Sequence, residues 1–242
     1  MAKPKGRDSA ARRKSTKRGR ENRPRDVYIF TEGEVTEPEY IDIILREGDL
    51  IRPDQRVERH FENATATGKY RKPLPMVKEA ISVLRRVERE ARDAGLEAED
   101  WNWPQVWVLF DRDDHQGIPE ARKLAEQADV KIAYSHPCFE LWRLLHYQNY
   151  TSTFGGVCGS ANSRLHQQPG FAQTYGKNVR AVSEQQSKHI KPDQILRRDR
   201  YSTAKKYAQK INNGHDEPDP TTWDPYTDVW RFVEDGLLLS GY

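Results

Sequence analysis

Asp26-Val27-Tyr28-Ile29-Phe30-Thr31-Glu32-Gly33-Glu34 and Val106-Trp107-Val108-Leu109-Phe110-Asp111-Arg112-Asp113-Asp114 repeat one pattern, an apolar run that ends in carboxylates. Runs of this length with no polar interruption read as strands buried on both faces, as in a parallel sheet. Strands of an α/β sheet deliver side chains to a crevice at their carboxyl ends. If the two strands are parallel neighbours, at least four carboxylates converge there. Such a group repels itself unless a cation sits within it, and Mg²⁺ or Mn²⁺ takes oxygen ligands of this kind. The candidate metal ligands are therefore Glu32, Glu34, Asp111, Asp113 and Asp114. The spacing Asp111-x-Asp113 is the sharper signal, because alternate residues of an extended segment point the same way. The competing reading is that Asp113 or Asp114 caps a helix at Ile118.

Outward from these two runs, helical and strand-like segments alternate. Glu37-Pro38-Glu39 opens a helix, since proline and acidic residues both suit a first turn. Val57 to Phe61 reads as a strand. Met76 to Gly95 has apolar residues at helical spacing, with Arg85, Arg86, Arg89 and Arg92 on its solvated face. Ile118–Ala128 reads as a helix, Val130–Tyr134 as a strand and Pro137–Tyr147 as a helix. The alternation predicts an α/β fold: a parallel-sheet core over residues 26–150 with helices on both faces. Residues 151–242 form a loop and helical extension packing on that core. Thr151 to Gln173 is expected to be a long loop, with helices around Thr203–Ile211 and Thr227–Leu239. Residues 1–25 form a disordered basic arm.

Charge is distributed unevenly. Residues 1–25 hold eleven Lys/Arg and two acidic residues, while the rest of the chain carries a net charge of −6. A basic arm on an acidic body suits a polyanion. From Lys177 to Lys210 there are ten Lys/Arg against three acidic residues, interleaved with Tyr175, Tyr201 and Tyr207. Cations for phosphates and aromatic faces for bases are features of nucleic-acid binding. Arg112, Lys177, Arg180, Arg197, Arg198, Lys205 and Lys206 are the candidate phosphate contacts.

No apolar run approaches the roughly 20 residues of a membrane span, and no apolar stretch follows the N-terminal charges as in a secretory signal. Cys138 and Cys158 make no CxxC motif and no disulfide framework, so free thiols in a reducing cytoplasm are expected, Cys138 as a buried one. Glu140 is a first-turn acid that could face the carboxylate crevice. His115 and His146 are possible proton carriers. No Gx4GK[ST] loop is present, so any nucleotide-driven step needs a partner.

Ile29-Phe30-Thr31-Glu32-Gly33-Glu34-x-Thr36-Glu37-Pro38-x-Tyr40 resembles the opening motif of the RloB-like proteins. Val108-Leu109-Phe110-Asp111-Arg112-Asp113, Ser135-His136-Pro137-Cys138-Phe139-Glu140-Leu141-Trp142 and Asp224-Pro225-Tyr226-Thr227-Asp228-Val229-Trp230 are similar to its later motifs. The resemblance implies a Toprim-like fold and a place in phage-defence and restriction loci, with an ATPase partner. It implies that Glu32 is a general acid/base or metal ligand and that Asp111 and Asp113 hold Mg²⁺. Catalytic Glu32, Asp111 and Asp113 then point to phosphodiester hydrolysis of DNA or RNA, tRNA included. The alternative is a non-catalytic nucleic-acid-binding or regulatory subunit. Family members often carry Asn where this chain has His136, so the resemblance gives His136 no shared role. The sequence sets no oligomeric state.

Overall fold

β1 (Arg25–Thr31) and β4 (Gln105–Asp111) are apolar on both faces because helices cover both. In the computed structural model, which describes residues 23–112, 115, 117–196, 200–216 and 219–242, they are parallel neighbours in a five-stranded sheet. With β3 (Val57–Phe61), β5 (Lys131–His136) and β6 (Tyr226–Thr227), the strand order is β3-β1-β4-β5-β6. Every pairing is parallel except β5 with β6.

The two-residue period of a strand divides the core in two. Val27, Ile29, Trp107, Leu109 and Ala133 face one way, against α1 (Thr36–Glu47), α4 (Phe139–Leu145), α5 (Cys158–His166) and α8 (Arg200–Asn212). Phe30, Val106, Val108, Phe110 and Tyr134 face α2 (Pro73–Asp93) and α3 (Ile118–Ala128). This is an α/β fold of Toprim-like type with helices on both faces of the sheet. In α2 the buried residues Met76, Val77, Ala80, Val83, Leu84, Val87 and Ala91 recur every three or four positions. Its arginines are exposed, and Arg86 pairs with Glu62 at 3.5 Å and Glu90 at 3.8 Å.

In the second half the helix expected around Thr203–Ile211 is α8, but two other segments depart from expectation. The segment expected as a loop contains α5, which buries only Ala161 and Leu165. Four-residue helices α6 (Glu184–Ser187) and α7 (Pro192–Ile195) follow. The expected C-terminal helix is broken into β6, a short α9 (Val229–Arg231), a π-turn at Phe232–Gly236 and β7 (Leu239–Gly241). The physical cause is Asp228: its buried carboxylate accepts the Tyr134 backbone N–H at 2.6 Å and the Tyr226 hydroxyl at 2.9 Å, fastening this segment to the sheet. β7 pairs antiparallel with β2 (Asp49–Leu50). The basic arm also ends earlier than expected. Arg25 belongs to β1, and its guanidinium donates to the carbonyls of Trp101 and Asp235. Residues 1–22 lie outside the described residues.

Candidate active site

Parallel pairing of β1 and β4 brings Glu32 beside Asp111. The backbone N–H of Glu32 donates to the Leu109 carbonyl at 3.0 Å, and that of Asp111 donates to Glu32 Oε2 at 3.0 Å. Glu32 Oε1 is hydrogen-bonded to His115 Nε2. The turn after Glu32 is narrow. The Gly33 N–H donates to Glu37 Oε1 at 3.1 Å, and a Cβ on Gly33 would lie 1.9 Å from Glu37 Oε2. Glycine there lets the Glu37 carboxylate fold back from α1 into the turn. Glu140 lies in the first turn of α4, the helix that follows β5, and lines the same cleft.

Arg71 fixes the backbone around Glu32. It is 5% exposed and donates to the carbonyls of Thr31 (2.9 Å), Gly33 (3.1 Å), Asn63 (2.8 Å), Ala64 (3.2 Å) and Ala66 (3.1 Å). The carbonyls on both sides of Glu32 thus share one guanidinium, whose planar fork suits several acceptors.

The electrostatics of the cleft are those of crowded acids. Burial, then repulsion from Glu140 and Glu32, raises the Glu37 carboxyl to about 7, against lowering by the backbone N–H groups of Glu37 and Gly33. Burial, followed by the charges of Glu32, Glu37 and Glu140, raises Asp111 well above the ordinary carboxylate range. The opposing effect at Asp111 is a hydrogen bond from the Phe139 backbone N–H, so Asp111 also caps α4. Glu32, Glu37, Asp111 and Glu140 line one cleft of about 390 Å³, together with Asn162, Glu184 and Lys188. A larger cleft, about 610 Å³, lies at the other end of the sheet by Gln105 and Lys131, where acidic and basic residues are mixed.

The other sequence candidates are dispersed. Glu34 is exposed and lies 3.6 Å from Arg71, outside the cleft. Asp113, Asp114, Arg197 and Arg198 lie outside the described residues. Gly117, at φ 84°, precedes α3, and no side-chain cap is present there. Arg112 holds the Ser135 carbonyl through its backbone N–H at 2.8 Å and donates from its side chain to the His115 carbonyl at 3.2 Å. Lys177, Arg180 and Lys206 are exposed. Lys205 is turned inward to Glu234 at 2.5 Å and lies over the Trp230 ring. Tyr201 is a core residue, 4% exposed, bonded to Glu234, so it offers no face to a base. His146 is also core, held between the Trp142 carbonyl and the Tyr242 hydroxyl. Burial pushes it down to about 3, so it stays neutral and away from the cleft.

Two residues of the cleft do not stand out as site residues in the sequence. Glu37 reads as an ordinary first-turn acid, and Lys188 as one cation in a basic run. The usable signal for Glu37 is Gly33, which leaves room for it. The cysteines also need correction: Cys138 and Cys158 are joined in a disulfide, with Cα atoms 5.4 Å apart, instead of being free thiols. Packing of α4 on α5 brings together two cysteines whose separation in sequence gives no sign of pairing.

This geometry of a carboxylate pair at adjacent parallel strand ends meets a matching comparison: the profile of the RloB-like protein family covers residues 27–235. The chain belongs to the RloB-like family. No curated protein and no solved structure matches it. The match takes in every residue of the cleft in this RloB-like chain, from Glu32 to Lys188. Among its described residues no helix is long and apolar enough to cross a membrane.

Proposed function

We propose that this RloB-like protein is a metal-dependent nuclease of antiviral defence. The observation that carries the reading is the convergence of Glu32, Glu37, Asp111 and Glu140 on one cleft. The donor set is all oxygen, half-buried and self-repelling, which fits a hard divalent cation such as Mg²⁺, with Mn²⁺ as a substitute. Glu32 and Asp111 would hold it, with Asp113 as the sequence candidate beside them. When bound, the ion would stabilise charge on a scissile phosphate and lower the pKa of a water.

The chain's own groups do the rest. The Asp111 N–H and His115 orient the Glu32 carboxylate, one on each oxygen. The Glu32 Oε1–His115 Nε2 pair is the acceptor for the proton of the attacking water. Lys188, which lines the cleft, would neutralise phosphate, with Arg112 next to Asp111 in the chain. Family membership supports a defence- or restriction-associated role, and an ATPase partner would supply any nucleotide-driven step.

The test incubates the purified chain with plasmid, single-stranded DNA and total tRNA in Mg²⁺, Mn²⁺ or EDTA. Cleavage that requires the divalent ion, and is lost in Glu32→Gln, is the expected result. Metal-insensitive binding without cleavage, with and without an ATPase partner, would instead establish a binding subunit.

A further inference from the structure

Cys138, Glu140 and Cys158 present their sulfur and carboxylate oxygen atoms within 4.8 Å of one another. Cys138 is buried just before α4, Cys158 is the first residue of α5, and Glu140 and Cys158 both line the cleft wall. We propose that this trio is a redox-gated zinc site, closed as a disulfide and opened to Zn²⁺ when the disulfide is reduced.

The donor chemistry differs from that of the neighbouring carboxylates: two thiolates and one oxygen select a soft or borderline ion over Mg²⁺. Glu140 Oε2 lies 3.5 Å from Cys158 Sγ. A tetrahedral zinc with Zn–S near 2.3 Å and Zn–O near 2.0 Å has an S···O edge of about 3.5 Å, so this edge is already in place. The S···S edge of the same tetrahedron is about 3.8 Å, which the sulfurs reach once the bond between them is broken.

A supporting group is also built in. Arg143 is 1% exposed, and its Nη1 lies 3.6 Å from Glu140 Oε1, leaving Oε2 toward the sulfur. Arg143 Nε and Nη1 have no hydrogen-bond partner among the described residues. A buried cation behind a ligating carboxylate is a known way of orienting a metal ligand. Two thiolates, a carboxylate and Zn²⁺ sum to −1, which Arg143 balances.

The chemistry closes as follows. A dithiol reductant gives two electrons and two protons to the Cys138–Cys158 disulfide and leaves as its own disulfide, producing two thiols. Binding of Zn²⁺ then forms two Zn–S bonds and one Zn–O bond and releases the two thiol protons.

The experiment measures zinc on the full-length protein, reduced or oxidised, by metal analysis after gel filtration. One zinc per chain is expected when reduced and none when oxidised. Cys158→Ser should abolish binding, and Glu140→Gln should weaken it at least about tenfold. Glu32→Gln should leave it unchanged, which separates this site from the oxygen cleft. Co²⁺ added to the reduced wild-type chain should show sulfur-to-metal charge-transfer absorption, a readout needing no variant. Reduced protein without zinc, zinc that survives Cys158→Ser, or Co²⁺ without the sulfur band would each overturn the proposal.

Discussion

At Gly33 one missing methyl leaves the room that the Glu37 carboxylate occupies. Burial, then the charges of Glu140 and Glu32, raises the Glu37 carboxyl from an ordinary 4.5 to about 7, against the lowering pull of the Gly33 N–H. Between those values the folded chain holds a proton that the unfolded chain has released. Stability from this group is therefore present below about pH 4.5 and is lost as pH rises through about 7, by roughly 3 kcal/mol in all. Glu37→Gln stays neutral throughout, so its stability should fall less across that window in metal-free buffer. Denaturant unfolding of both proteins at several pH values checks this, and parallel curves would contradict it. Asp111→Asn removes a hard ligand while nearly keeping shape. In EDTA its melting temperature should match or exceed the wild type, because like-charge repulsion is relieved. Its cleavage rate should drop by at least about 100-fold, as expected for losing several kcal/mol of charge stabilisation. A folded, fully active Asp111→Asn would end the metal mechanism, and an unfolded one would make the cap on Phe139 its main role. Glu32 and Asp111 are legible in sequence because each directly follows an apolar run. Glu140 is legible as a first-turn acid able to face the same crevice, whereas Glu37 is not, because an acid in a first helical turn has a sufficient local explanation.

At the scale of elements, the turn after β1 depends on a residue from a distant loop. Arg71→Ala should cost about 1–3 kcal/mol: the carbonyls of Thr31, Gly33 and Asn63 keep second donors in Asn63 Nδ2, the Thr31 hydroxyl and the Ala66 N–H, but the charged donor that ties them together is lost. Urea unfolding measures it, and a change under about 0.5 kcal/mol would show that water replaces the guanidinium. Trp142 is a different case. It is fully buried on α4 and donates to the Tyr40 hydroxyl at 2.8 Å. Trp142→Ala should cost roughly 3–5 kcal/mol through the cavity it leaves. Activity per folded molecule should survive, which a rate corrected for the folded fraction would verify. Strands β1, β3, β4 and β5 and helices α1 to α4 can be read from periodicity, with boundaries off by one to three residues at several ends. α5 cannot, because a helix anchored by Ala161 and Leu165 alone leaves almost no apolar rhythm. The broken C-terminal segment reads as one helix because its apolar residues serve a strand, a π-turn and a second sheet in succession.

For the whole molecule, charge is the feature that reaches farthest. Removing residues 1–22, which carry nine Lys/Arg and two acids, should weaken nucleic-acid binding and flatten its dependence on salt. Each phosphate that is no longer neutralised lowers the slope by about 0.7–0.9. Titrations at several salt concentrations check this, and an unchanged slope would remove the arm from binding. The core itself is not local in sequence. Val229, Phe232, Val233, Leu237 and Leu239 complete the face begun by Val27 and Ile29, and Tyr40 meets Tyr242 across their hydroxyls at 2.6 Å. On a ribosome adding about 5–20 residues per second, Leu239 emerges roughly 5–20 s after Leu145. Throughout that interval the sheet face carrying Ile29 and Leu109 has α1 and α4 to cover it but lacks α8 and the C-terminal segment, and what stays bare is a substrate for chaperones and a hazard for neighbouring nascent chains.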